Sequence, residues 1–168
     1  MQPTPEQIEQ LRRSGIRIDR EGELIHEGEA IRHGGLRSAI FRWLDRMRES
    51  DGYRGGDTRY VLRLDERRFA YVDVDDTPLV VRALRIDGGD VSLQLSDGAQ
   101  ETLEPRTLTV DAQGILRCWV RGGRLEARLA TSAAAALAER ITDSPQGPML
   151  TLPAATPQPL ARRSGSPP

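Results

Sequence analysis

Apolar and polar residues alternate on both sides of the stretch DREG, in GIRI before it and ELIHE after it. Alternation of period two marks a half-buried strand, and Asp-x-x-Gly is turn material, so residues 15–28 read as a β-hairpin. Ile16, Ile18, Leu24 and His26 then share its strand faces. Ahead of it, Thr4-Pro5-Glu6-Gln7 is a helix start, with Thr4 as N-cap, Pro5 in the first turn and Gln7 closing a capping box. Ile8 and Leu11 supply a short apolar stripe before Gly15 stops that helix.

The period changes at Leu36. Leu36, Ala39, Ile40, Trp43, Leu44 and Met47 recur at helical spacing, with Arg37, Arg42, Asp45, Arg46, Arg48 and Glu49 off the stripe. This pattern predicts a helix over 36–47, with Trp43 in the core and Arg46 in solvent. Phe41 falls on the polar side, either as a lone exposed aromatic or packed against a second layer. After Asp51-Gly52, the runs TRYVLRL, RFAYVDV, LVVRALRI, VSLQL, RTLTV and ILRCWV read as strands, separated by turn-forming DERR, DDTP, DGGD, SDGAQ and DAQG. Leu125, Leu129, Ala133, Leu137 and Ile141 then predict a second helix over 125–141, and PMLTLP a final strand. The Pro-, Ala- and Ser-rich remainder has no core-forming pattern and reads as a disordered tail.

The two halves share a plan. Asp19, Gly22 and Leu24 match Asp111, Gly114 and Leu116 at one constant offset, and each set precedes a predicted helix. The expected architecture is α+β: two small antiparallel-sheet units, each with one main helix, related either by a hairpin-helix repeat or only by the commonness of hairpin-then-helix units and D-x-x-G turns. The units are expected at 1–78 and 79–152, followed by the tail at 153–168.

Composition narrows the function. The chain has 168 residues, 38% hydrophobic but only 4% aromatic, so the core must be largely aliphatic. A formal charge of −1 offers no basic excess to track a phosphate backbone, so nucleic acid is not an expected partner. All 24 basic side chains are arginine, a bias that suits a G+C-rich genome. Cys118 stands alone, which excludes a disulfide within the chain. No apolar run approaches the roughly 18 residues of a membrane span, so no membrane is expected as a partner; with a polar, acidic start, the expected location is the cytoplasm.

Both histidines fall in LIHEGEAIRHGG. HEGEA resembles the zinc motif H-E-x-x-H until Ala30 replaces the second histidine, and Gly28 argues for a strand end where that motif needs a helix. No metal or other cofactor is expected. His33-Gly34-Gly35 opens the predicted helix between Arg32 and Arg37, where free N–H groups could meet an anion; a flexible turn is the plainer reading. Asp73, Asp75 and Asp76 could hold a hard cation or be a solvated strand end before Thr77-Pro78. Cys118 lies in an apolar strand, as an inert buried thiol would. No Walker A, G-x-S-x-G or G-x-G-x-x-G signature is present, so no catalytic residue is expected.

IHEG-x-AI, then Leu36, Phe41 and Leu44 in L-x(3)-IF-x(2)-L, then Asp51-Gly52-Tyr53, then VDDTPLVV with Val74, Asp75, Asp76 and Pro78 resemble the bacterial family known as domain of unknown function 1285. The likeness covers roughly residues 16–82. RYVLRLDERR stands where that family has T-P-x-E, and Leu79 where it prefers Phe. The resemblance implies two small α+β domains with a cleft between them and a role in binding a small, nucleotide-like ligand in signalling. His26, Arg32, His33, Tyr71, Asp75, Asp76 and Arg82 are the expected ligand-side residues, and Phe41 is expected at the junction of the units. Two other readings stand beside this one. A protein–protein adaptor would use the tail PQPLARRSGSPP or an exposed helix face, with no particular protein partner indicated. A hydrolase would use His26 as general base with an acidic partner such as Asp75.

Overall fold

The computed structural model describes residues 12–53 and 59–163; the helix start at Thr4–Gln7 and the last residues of the tail lie outside them. The chain divides into two compact units, up to Pro78 and from Leu79 onward. Both are α+β.

In the first unit the strands are β1 (Arg13–Ile18), β2 (Leu24–His26), β3 (Glu29–Ala30), β4 (Leu44–Arg46), β5 (Tyr60–Arg63) and β6 (Phe69–Val74). They form one sheet in the order β3-β2-β1-β6-β5-β4. Neighbours run antiparallel except β1 and β6, which are parallel. Cross-strand partners share a face. One side of the sheet therefore carries Ile18, Leu24, Leu44, Tyr60, Leu62 and Val72, all buried. The other carries Asp45, Val61, Arg63, Phe69 and Tyr71.

The helix α1 (Gly34–Trp43) packs against β5 and is shorter than its periodicity predicts. Leu44 leaves the helix at ψ 126° and opens β4, because its backbone pairs with Leu62. The buried face is also a different one. Ile40 and Phe41 are buried, while Leu36 is 47% and Trp43 41% exposed. The real inner stripe is Arg37, Ile40, Phe41 and Leu44, turned about 100° from the expected one. Arg37 belongs to it because its guanidinium bonds Glu23 at 3.0 Å and the Ile31 carbonyl at 3.1 Å, and faces the Phe41 ring at 6.0 Å.

The second unit holds β7 (Leu79–Asp87), β8 (Asp90–Leu95), β9 (Gln100–Thr102), β10 (Thr109–Val110), β11 (Leu116–Val120), β12 (Leu125–Leu129), α2 (Thr131–Ala138), β13 (Ile141–Ser144), β14 (Gly147–Leu150), β15 (Gln158–Pro159) and β16 (Ala161–Arg162). Seven strands form a sheet in the order β16-β10-β11-β12-β7-β8-β9, and β13, β14 and β15 form a three-stranded sheet. The helix expected at 125–141 is a strand in its first third. Leu125, Ala127 and Leu129 point to one buried side between β11 and β7. Only Thr131–Ala138 is helical, and it lays Ala133 and Leu137 against that side.

The repeat is a repeat of topology. In each unit a hairpin and a third strand lead into the helix, followed by antiparallel strands, β4 and β5 in the first unit and β13, β14 and β15 in the second. The chain then returns parallel to the unit's first hairpin strand: β6 beside β1, and β16 beside β10. The closing bonds correspond, with the Asp75 N–H donating to the Ile18 carbonyl and the Arg163 N–H to the Val110 carbonyl. This return corrects the disordered tail. Gln158–Pro159 and Ala161–Arg162 are strands, Leu152 and Leu160 are buried, and the Arg163 guanidinium bonds Glu126 at 2.6 Å. β7, β8 and β9 have no counterpart among the described residues of the first unit, and three parallel pairs make the two large sheets mixed where antiparallel ones were expected.

The shared turns explain the shared sequence. Asp19 Oδ1 accepts the N–H groups of Glu21 and Glu23 at 3.0 and 2.8 Å, and Asp111 Oδ1 those of Gln113 and Ile115 at 2.9 Å each. Gly22 and Gly114 sit at φ +79° and +80°, where a Cβ would be strained. Asp19→Ala and Asp111→Ala are each expected to lower the unfolding free energy by about 1–2 kcal/mol in urea titrations, since each strands two N–H groups.

Candidate functional site

The richest polar constellation of the first unit lies on the charged side of its sheet. The β5–β6 hairpin builds it. Asp65 closes that hairpin by accepting the N–H groups of Arg67 and Arg68 at 2.9 and 2.8 Å and the Arg68 Nε at 2.6 Å. These bonds, the backbone one to Arg67 foremost, hold its carboxyl down at about 2. From the hairpin, alternation places Phe69 and Tyr71 side by side on β6, with Arg63 opposite Phe69 and Val61 opposite Tyr71. The two rings meet edge to face, 5.9 Å apart at 68°.

Three guanidiniums lie over these rings. Arg12 stands 4.2 Å from the centre of Phe69, Arg63 5.6 Å from the same ring, and Arg59 5.0 Å from Tyr71. All fall within the range of cation–π attraction. Arg63 is held rigidly from behind. Its Nε donates to Asp45 at 3.1 Å, and Nη1 and Nη2 to Asp51 at 3.0 and 2.6 Å. Arg48 adds a bond to Asp45 at 2.7 Å. The side chains of Arg63, Asp45 and Asp51 are nearly buried. The Arg63 hydrogen bond holds the Asp51 carboxyl below its ordinary value, and the same bond raises Arg63. The result is a fixed cation beneath a partly exposed arginine–aromatic face.

Of the residues singled out from the sequence, Tyr71 belongs to this face. His26 ends β2 exposed, its imidazole so close to Gly15 that a Cβ there would sit 3.3 Å from Nε2. His33 is the N-cap of α1: its Nδ1 accepts the Leu36 N–H at 3.2 Å, filling the place where an anion was considered. Gly35 makes room for that ring, since a Cβ there would lie 3.2 Å from Cε1. Arg32 is exposed just before the helix. Asp75 is tied by its N–H to Ile18 and lies 3.8 Å from Arg17, as a strand end would be. Asp76 follows it, half-buried, and Arg82 is exposed on β7. Among the described residues no three His, Cys, Asp or Glu side chains gather as metal ligands, and no helix is long and apolar enough to cross a membrane.

Phe69, Arg12, Arg59 and Arg63 escaped the sequence reading. Phe69-x-Tyr71 on a strand was a usable signal, because residues two apart share a face. The arginines come from distant positions and show no motif.

The second unit's charges staple its sheet. Arg117 and Arg128 stand directly opposite one another, an unfavourable like-charge pair. Asp111, 3.5 Å from Arg117, offsets it. Arg121 pairs with Asp97 and Glu101. Cys118 is buried, and burial, with the nearby charges of Glu126 and Glu101, pushes its thiol up to about 12. Such a thiol is inert at neutral pH.

No family model and no curated protein sequence matches the chain. Solved structures do. A DUF1285 family protein from Silicibacter pomeroyi superposes with a TM-score of 0.69 at 19% identity, over 89% of this chain and 80% of that one. A DUF1285 family protein from Shewanella baltica gives a TM-score of 0.54 at 13% identity, over 70% of this chain and 84% of that one. At these identities the likeness is one of fold.

Proposed function

We propose that this chain, which has the fold of the DUF1285 proteins, is a small-ligand-binding or regulatory module for an anionic, ring-bearing molecule of nucleotide type. The edge-to-face pair Phe69–Tyr71, flanked by Arg12, Arg59 and Arg63, carries the reading. Aromatic rings and guanidinium planes both stack on a planar base, and guanidinium edges donate in pairs to phosphate oxygens. Arg63 is held by its carboxylates and serves as a fixed support; Arg12 and Arg59, which lie over the two rings, would contact phosphate, and Tyr71 would offer the stacking ring. A role in signalling would follow from reversible occupancy, with no chemical step required.

Of the tail on which the adaptor reading rests, Gln158–Pro159 and Ala161–Arg162 are paired as strands. Thermal-shift and calorimetric titrations with AMP, ATP, GTP and inorganic pyrophosphate test the proposal. A ligand at a thousandfold excess over its dissociation constant raises stability by about 4 kcal/mol. Nucleotides are expected to bind better than pyrophosphate alone. Tyr71→Ala should weaken them roughly tenfold, as loss of one stacking surface does. No shift with any of the four, or full binding by Tyr71→Ala, would sink the idea.

A further inference from the structure

The turned phase of α1 leaves its apolar residues outside. Leu36 and Trp43 are two of the three exposed large apolar side chains among the described residues. They stand seven positions apart, two turns or about 10 Å along one flank of the helix, with Ala39 between them. The inner flank is already occupied by Ile40 and Phe41. Anchors at this spacing on a helix are those used in helix-and-groove recognition.

The charge of the helix itself has one sign. Arg32, Arg42 and Arg46 are exposed before, within and after the helix, and α1 itself contains no acidic residue. Asp45 is held by Arg48 and Arg63, and Glu23 by Arg37. Glu27, Glu29 and Glu49 lie outside the helix. We infer that the Leu36–Ala39–Trp43 face of α1 docks an acidic amphipathic helix of a partner protein, its leucines on the stripe and its carboxylates on Arg32 and Arg42.

Two other occupants fit less well. A second copy of this chain, meeting stripe to stripe about a two-fold axis, would bring Arg42 toward Arg42. An anionic bilayer would receive only two large side chains, fewer than stable anchoring needs, because the opposite flank is buried in protein.

The test uses the full-length chain and a fluorescein-labelled synthetic helical peptide with leucines at helical spacing and glutamates elsewhere, read by anisotropy. Micromolar binding is expected, with no binding of the same peptide carrying lysines. Leu36→Ser, Trp43→Ser and Arg42→Glu should each weaken it at least tenfold while leaving the melting temperature within a degree or two. Absence of binding, equal binding of the lysine peptide, or undiminished binding by the three variants would overturn the inference. So would either rival behaviour in place of peptide binding: Trp43-dependent self-association in sedimentation, or Trp43-dependent capture on phosphatidylserine vesicles.

Discussion

Arg63→Ala is expected to lower the unfolding free energy by about 3 kcal/mol at neutral pH. Removing one member of a buried ion cluster strands the others, and costs of about 3–5 kcal/mol are usual. Arg63 bridges Asp45 and Asp51, whose side chains are only 5% and 4% exposed. The low end of the range applies because Arg48 keeps its bond to Asp45, and its backbone N–H keeps one to Asp51. Arg63→Lys should recover little, since a single ammonium cannot reach two carboxylates with paired donors. Urea unfolding of the three proteins measures this, and a loss under about 1 kcal/mol would mean the cluster is solvated and contributes little. The pH dependence has a definite sign. The Asp51 carboxyl is depressed in the folded state, so its contribution is complete above its ordinary value of 3.8. It is lost as pH falls through the lower folded value. The gap between wild type and Arg63→Ala should therefore be widest above pH 4 and narrow in stronger acid. Arg63 is raised by its hydrogen bond to Asp51, so its contribution is fully present at neutral pH and is lost only as pH rises through the folded arginine value.

Phe41→Ala should cost about 3–4 kcal/mol, and Trp43→Ala less than about 1. Phe41 is 6% exposed and its removal leaves a cavity, whereas Trp43 is 41% exposed and its removal leaves none. This reverses the ranking that helical periodicity suggests. Urea titrations of the two variants decide it: a Trp43 loss as large as that of Phe41 would put the helix in the other phase. It would also remove the exposed stripe on which partner docking rests.

Some of this architecture is legible without coordinates because the interactions responsible are local. An Asp followed three residues later by Gly makes its own turn, through side-chain bonds to N–H groups two and four positions on. DREG and DAQG therefore announce matching hairpins. Single strands such as RFAYVDV follow from alternation, and Phe69 beside Tyr71 with them. Resemblance to the DUF1285 proteins rests on other short segments, IHEG-x-AI, Leu36, Phe41 and Leu44, Asp51-Gly52-Tyr53 and VDDTPLVV, and the fold bears it out.

The remaining features depend on partners far away in sequence. Leu36, Ala39, Ile40, Phe41, Trp43 and Leu44 surround most of a short helix, so the spacing admits two phases. Burial against the sheet selects Ile40 and Phe41. Leu125 and Leu129 fit a helix by fours and a strand by twos, and the open places between β11 and β7 select the strand. Pro157 and Pro159 hide the final return from any propensity argument, yet short strands beside β14 and β10 tolerate a proline where its missing N–H is not needed. The arginine–aromatic face is the extreme case. Two rings are set by alternation along one strand, but Arg12, Arg59 and Arg63 reach them only once strand pairing is complete, because cation–π contacts act over a few ångströms in space and leave no spacing in the chain.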